Sequence, residues 1–255
     1  MNSEKERSSL LNRAGKTLLR HITPQIYAQR SIREWPAWLE KVHEVSVPRA
    51  VIPQPEVTSS GGANINIVLR LLDQTRSLPG AIADCGVFRG ASLVAIGIYL
   101  RQNGIEKTIY GFDSFAGFDE SINFDMGLSG VHEKEKVLGG FSNTSIELVL
   151  AKVRAFKLNK IRLVPGYFKD AFPKVPADVQ FCFAHLDVNL YTSYKECMEF
   201  CYPRLVKGGI ILLDEYNDPP WPGCKEALDE FLADKPEKLQ AAVSENYQKF
   251  YMVKQ

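Results

Sequence analysis

Two apolar runs in the C-terminal third each end in acid, and nothing else in the chain constrains its fold as much. FCFAHLDVNLY delivers Asp187, and GGIILLDEYND delivers Asp214 and Glu215. Short apolar runs bounded by turn residues read as strands buried on both faces. That is the pattern of a parallel sheet, which binds ligands at the carboxyl ends of its strands. Three carboxylates converging on one crevice predict a divalent cation. Acids that only cap helices or meet solvent are the bland alternative.

Upstream, LPGAIADCGVFRGASLVAIGIYL reads as strand, tight glycine turn and helix, the opening unit of a nucleotide-type α/β fold. Asp84 ends the strand. Gly86 and Gly90 let the backbone turn close to a ligand, and Ser92 lies just inside the helix, whose first N–H groups are free to bind it. The spacing Asp84-x-Gly86-x-x-x-Gly90-x-Ser92 is longer than the G-x-G-x-x-G of dinucleotide binders. It matches the longer gap of S-adenosylmethionine (SAM) binders, which disfavours an NAD-dependent oxidoreductase. The next strand, TIYGFDSFAGF, ends in Asp113, placed to accept hydrogen bonds from both hydroxyls of an adenosine ribose. Ser114 and Phe115 are then expected to flank the adenine.

Taken together, DCGVFRGAS, YGFDSFAGF, VPGYFKDAFP, HLDVNLYTS, YPRLVKGGIILLDEY and PGCKEALDEF occur in an order that resembles the macrocin O-methyltransferase family. These are class I, metal-requiring methyltransferases that act on sugars of antibiotics. The resemblance runs from about Leu78 to the C-terminus. It implies a Rossmann-like α/β fold: a mainly parallel seven-stranded sheet with helices on both faces and an antiparallel C-terminal strand near QKFYMVK. It further implies that Asp187, Asp214 and Glu215 hold magnesium while Asp84, Gly86, Gly90 and Asp113 hold SAM. Manganese and calcium are chemical substitutes in an all-carboxylate site. Two departures stand out. Asp214-Glu215 replaces the family's usual acidic pair with one longer arm, and Asn189 stands where the family pattern D-x-D-L-Y carries its second acid. An amide has no basic lone pair near neutral pH, so Asn189 orients a hydroxyl or water without taking its proton. A non-catalytic SAM-binding protein is the alternative that Asn189 raises.

The base is then expected elsewhere. His132 titrates in the right range and lies in a stretch without clear periodicity between Gly117 and Gly140, read as a lid over the acceptor. A Thr144-x-x-Glu147 capping box is expected to start the following helix. His185 shares a strand face with Asp187 and reads as a partner of the metal site or, by preference, as a hydrogen-bonded core histidine. The aromatic loop from Tyr216 to Gly223 suits a sugar or phenol, or shapes the turn.

With 31 Lys and Arg against 30 Asp and Glu, the 255-residue chain offers no basic surface for nucleic acid. No apolar run reaches membrane-spanning length and MNSEKERSSLL lacks a signal-peptide core, so the expected compartment is cytoplasmic. Cys85, Cys182, Cys197, Cys201 and Cys224 show no zinc-site spacing and are expected in the core. Residues 58–255 form the predicted methyltransferase domain, and residues 1–57 a basic helical extension and linker. Within that extension, Met1 to Arg33 carries a local +5. Its Leu10, Leu11, Ala14, Leu18 and Leu19 recur near helical spacing, available to cover the core, to lie on an anionic membrane surface, or to pack on a second copy as a homo-oligomer. The expected acceptor is a small-molecule natural product, a glycoside among the candidates.

Overall fold

Five apolar segments pair side by side as parallel strands: β1 (Ala81–Cys85), β2 (Ile109–Asp113), β3 (Ile161–Pro165), β4 (Phe181–Leu186) and β5 (Leu205–Leu213). A C-terminal hairpin of β6 (Gln240–Ser244) and β7 (Tyr247–Val253) completes the sheet, in the order β3-β2-β1-β4-β5-β7-β6. β7 is antiparallel to both β5 and β6, so β6 runs with the first five strands. The computed structural model describes residues 60–129, 138–244 and 247–255. The basic extension, residues 1–57, lies outside them.

Because side chains alternate across a strand, the sheet buries two separate cores. On one face Ile82, Phe183, Ile210 and Leu212 meet α1 (Ser60–Gln74), α2 (Ala91–Gln102) and α4 (Ile146–Ala155). On the other, Phe112, Phe181, Leu186 and Leu213 meet α6 (Tyr191–Arg204), α7 (Pro222–Leu232) and the end of the short α5 (Phe168–Ala171). Each large apolar side chain buried here contributes about 1.5–3 kcal/mol. All five cysteines are buried, and burial lifts the thiols of Cys85 and Cys197 well above their usual range, Cys197 to about 11. β1 lies between β2 and β4, so the chain leaves the sheet in opposite directions from β1 and β4 and opens a crevice at their carboxyl ends.

Two local expectations fail. α4 is capped by Ser145, whose hydroxyl accepts from Leu148 N at 3.2 Å, and not by Thr144. The Thr144 hydroxyl is drawn away to Phe88 O in the glycine turn. The supposedly aperiodic stretch also contains a helix, α3 (Ile122–Ser129). Its anchor is tertiary: the buried Asp125 carboxylate accepts from Tyr191 N at 3.0 Å, at the positive N-terminal end of α6. Only a glycine at 223 leaves room, since a Cβ there would overlap the same carboxylate. The neck of this excursion is tied by Phe118 N to Gly140 O (3.0 Å) and Gly139 N to Phe118 O (2.9 Å).

Candidate active site

The glycine turn after β1 passes so close to β4 that a Cβ on Gly86 would overlap the carbonyl of Asp187, and its φ of 88° is itself a glycine conformation. Gly86 lines a cavity of about 490 Å³ at the carboxyl edge of the sheet. Asp84 faces the other way. Fully buried, it accepts from Ser92 Oγ at 2.8 Å and pairs with His185 Nδ1 at 2.8 Å. Asp84, Gly90 and Ser92 thus stand behind the cavity wall. Asp84 and Ser92 fasten α2 to β4, and Gly90 caps α2 at φ 82°.

Asp113 opens onto the cavity from the end of β2. Its two oxygens accept from Phe88 N and Phe115 N, each at 2.7 Å. Both donors belong to phenylalanines with positive φ, 47° and 55°, a region that costs a bulky residue on the order of 1–3 kcal/mol. One carboxylate therefore holds two strained turns, those after β1 and β2, against each other. Burial pushes the Asp113 pKa up, against the lowering effect of the two amides. Ser114 also lines the cavity, but its hydroxyl closes the local turn, donating to Gly117 O and accepting from Ala116 N, each at 3.1 Å. The loop after β3, Gly166 to Lys169, forms one wall, and Phe118 to Ser121 with Thr192, Ser193 and Glu196 form another. In the sequence, VPGYFKDAFP serves only as a family match that gives these residues no role.

At the far end the acids of β4 and β5 meet. Asp187 lines the cavity, and its pKa is pushed up to about 6 by burial and by the charge of Asp214. The buried Glu215 is pushed well above the carboxylate range by burial and then by Asp187 and Asp214. One of its oxygens sits 2.5 Å from Tyr194 Oη, a hydroxyl that also accepts from the backbone N–H groups of Asp214 and Glu215. Asp214 behaves oppositely. Burial raises its pKa, but His185 and the Lys249 ammonium outweigh burial and hold it down. Lys249 Nζ, reaching over from β7, donates to Asp214 Oδ2 at 2.6 Å and to its main-chain O at 2.9 Å. His185 is 2% exposed. Burial lowers its pKa, yet the carboxylates of Asp214 and Asp84 on either side of the ring push it up to about 10. Its Nε2 lies 3.7 Å from Asp214 Oδ1, an ion-pair distance too long for a hydrogen bond. Both of those atoms are buried without a hydrogen-bond partner.

Asn189 lines the cavity at φ 60°, in a three-residue turn closed by Leu190 N to Val188 O at 2.7 Å. Asparagine tolerates this left-handed geometry better than most residues. His132 lies outside the described residues. The loop after β5 turns away from the cavity: Tyr216 Oη donates to Asp229 at 2.6 Å, and Trp221 packs against Phe118 and Phe141 beneath the neck of the excursion. Tyr194 and Lys249 went unnoticed in the sequence. Their spacing from the acids is long, and only register brings them in.

A sheet of this order with helices on both faces and its cavity at the carboxyl edge is the class I methyltransferase fold, and solved structures agree. The O-methyltransferase NovP superposes with a TM-score of 0.64 at 22% identity, over 95% of this chain and 99% of that one. CalS11, a calicheamicin methyltransferase, also gives 0.64 at 22% identity, over 80% of this chain and 88% of that one. Residues 54–246 match the macrocin O-methyltransferase (TylF) family model, and the chain belongs to that family. Among curated relatives it is 30% identical over 165 residues to the demethyldecarbamoylnovobiocin O-methyltransferase of Streptomyces niveus, covering 62% of this chain and 60% of that protein. It is 29% identical over 163 residues to the mycinamicin III 3''-O-methyltransferase of Micromonospora griseorubida, covering 60% and 61%. The matched region is thus about three fifths of these curated relatives. No described helix is long and apolar enough to cross a membrane.

Proposed function

We propose that this protein transfers the methyl group of SAM to a hydroxyl of a small glycosylated natural product, assisted by a divalent cation. The observation that carries the reading is one cavity with Asp113 and the glycine turn at one end and Asp187 at the other, in a chain of this family. Asp113 receives the ribose hydroxyls. Gly86 and Phe88 bound the methionine half, and the loops at Ser114 and Gly166 bound the adenine. The sulfonium is then directed toward Asp187 and Asn189, where the acceptor oxygen lies.

The residues present fit a cation. Asp187 and Asp214 crowd together with Glu215 beside them, and Asp214 Oδ1 has no hydrogen-bond partner. Magnesium suits such oxygen donors, and when bound it stabilises negative charge developing on the acceptor oxygen. Asp187, Asp214 and Glu215 would hold the ion, with Glu215 steadied by Tyr194. The acceptor O–H loses its proton, the oxygen attacks the methyl carbon, and the carbon–sulfur bond breaks, leaving a methyl ether and a neutral thioether. His132 is the proposed proton acceptor, and Asn189 orients the hydroxyl by hydrogen bonding.

The test is methyl transfer from labelled SAM to a panel of glycosides and phenols after chelation, with and without added magnesium, alongside calorimetric titration of SAM. Methyl transfer to a glycoside that chelator abolishes and magnesium restores is the expected result. Absence of SAM binding would overturn the reading, and turnover unaffected by chelator would remove the cation from it.

A further inference from the structure

The cavity bracketed by Asp113 and Asp187 also contains aromatic rings and acids to which methyl transfer alone gives no role. Phe118 and Phe141 line it beside Phe88, and so do Asp119, Glu120 and Glu196. Once Asp113 and Asp187 are set aside, these three acids meet a single lining cation among the described residues, Lys169. We infer that Phe141, with Phe118, selects the acceptor by packing on an apolar ring joined to the methylated sugar, and that the acids turn away phosphate. The substrate is then a phosphate-free glycoside of an aromatic aglycone, and not a nucleoside diphosphate sugar. This inference rests on the methyl-transfer reading above and specifies its acceptor.

Phe141 is an unfavourable place for a phenylalanine. Its φ of 62° lies in the left-handed region, which strains a bulky residue. At 36% exposure it is also among the large apolar side chains left open to solvent. The ring is nevertheless held in place, meeting Phe88 at 5.6 Å and Phe118 at 5.2 Å, both edge to face, and Trp221 at 6.4 Å. An aromatic group that covers the open part of a fixed ring offsets both the strain and the exposure. Phe88 belongs to the turn proposed to bound the methionine half. A ring packed on this wall therefore lies next to the reacting methyl group.

The acids add a charge preference. Asp119 is fixed by accepting from Ser121 N at 3.0 Å and from Ser121 Oγ at 2.6 Å. Burial and then the charge of Asp119 push the Glu196 pKa up, so the two acids share one field. A cleft lined by one sign of charge favours the sulfonium of SAM and repels a diphosphate. A sugar hydroxyl is presented to such an enzyme either on a nucleoside diphosphate ester or on a finished glycoside, and only the second suits this wall. The class of reaction that supplies it is glycosyl transfer from a nucleoside diphosphate sugar to an aglycone, which releases the nucleoside diphosphate before methylation.

The experiment uses the full chain with SAM and magnesium. A set of hexoses is offered in three forms, as 4-methylumbelliferyl glycosides, as methyl glycosides and as thymidine diphosphate esters, and kcat/KM for methylation is measured by mass spectrometry. Expected is a sugar whose aryl glycoside is methylated about tenfold better than its methyl glycoside and about a hundredfold better than its diphosphate ester. Phe141→Gly suits the backbone at this position and should reduce the aryl preference to about twofold, with calorimetric SAM affinity within about twofold of wild type. Glu120→Gln combined with Glu196→Gln should raise turnover of the diphosphate ester about tenfold. The wild-type comparison of the three forms stands whether or not a variant folds. Diphosphate esters methylated as well as aryl glycosides, SAM binding with no aryl glycoside methylated, or an aryl preference that survives in folded Phe141→Gly overturns the inference and leaves SAM binding intact. A matching loss of SAM affinity in Phe141→Gly also overturns it, since the wall then belongs to the cofactor. Absence of SAM binding in wild type overturns the methyl-transfer reading itself.

Discussion

The two ends of the cavity are built from different materials. At the end proposed for the cofactor, one carboxylate is held by main-chain amides: Asp113 accepts from Phe88 N and Phe115 N, and Gly86 admits the neighbouring strand. At the acid end, side chains hold side chains. Asp84, His185, Asp214 and Lys249 come from β1, β4, β5 and β7, and Tyr194 reaches in from α6. The first construction depends on local turn geometry and the second on the register of four strands. The cofactor end should therefore fail by misfolding or lost SAM affinity, and the acid end by lost ion binding with SAM affinity preserved.

The largest effect is expected at Gly86. Gly86→Ala places a methyl group into Asp187 O at a φ that L residues avoid, and should destabilise the domain by more than about 3 kcal/mol. A urea midpoint close to wild type would break the comparison at its firmest point. Next comes Lys249→Met, which strips a mostly buried carboxylate of its cation. Breaking such a pair costs about 3 kcal/mol in chelator, and added divalent cation should recover more stability in the variant than in wild type. Equal thermal shifts in the two proteins would remove the link between Lys249 and the ion.

Asp113→Ala should weaken SAM binding by about 2–3 kcal/mol, the value of hydrogen bonds to a charged group, and lower stability less than Gly86→Ala does. Unchanged calorimetric affinity would show that the ribose lies elsewhere. Tyr194→Phe leaves Glu215 and two backbone amides without their shared hydroxyl, at a cost of about 1–3 kcal/mol. It should reduce ion-dependent turnover while SAM affinity stays within about twofold. A loss of SAM affinity instead would mean that the two ends are not separable. The smallest change is expected from Asn189→Asp, whose backbone turn either residue accepts. Single-turnover methylation should be retained or increased, and activity appearing only in the variant would make the natural protein a binder.

Legibility in the sequence followed the same division. Gly86 and Asp113 could be read from spacing because a strand, a tight turn and the next strand end are local facts. Asp187 and Asp214 were readable because they end apolar runs. His185 was visible as a face-mate of Asp187 but read more naturally as a core residue. Its burial and its 2.8 Å bond to Asp84 agree with that reading, and which acid its Nε2 faces depends on β5. Asp84 and Ser92, expected at the cofactor, are buried and hydrogen-bonded to each other behind the cavity wall, a placement that strand and helix rotation decide and spacing does not.

By itself the sequence determined the alternation of strands and helices, the parallel order of the central sheet, and the family. The first two follow from hydrophobic periodicity and short-range turn chemistry that survive in one dimension, and the family from the resemblance carried by six motifs in order. Only the tertiary structure decided that Lys249 sits on Asp214, that Tyr194 holds Glu215, that Asp125 docks α3 on the end of α6, and that His185 lies between Asp84 and Asp214. These contacts join residues far apart in the chain through strand register and helix placement. A register slip of one residue in β7 would turn Lys249 to the other face while leaving the composition and pattern of the strand intact.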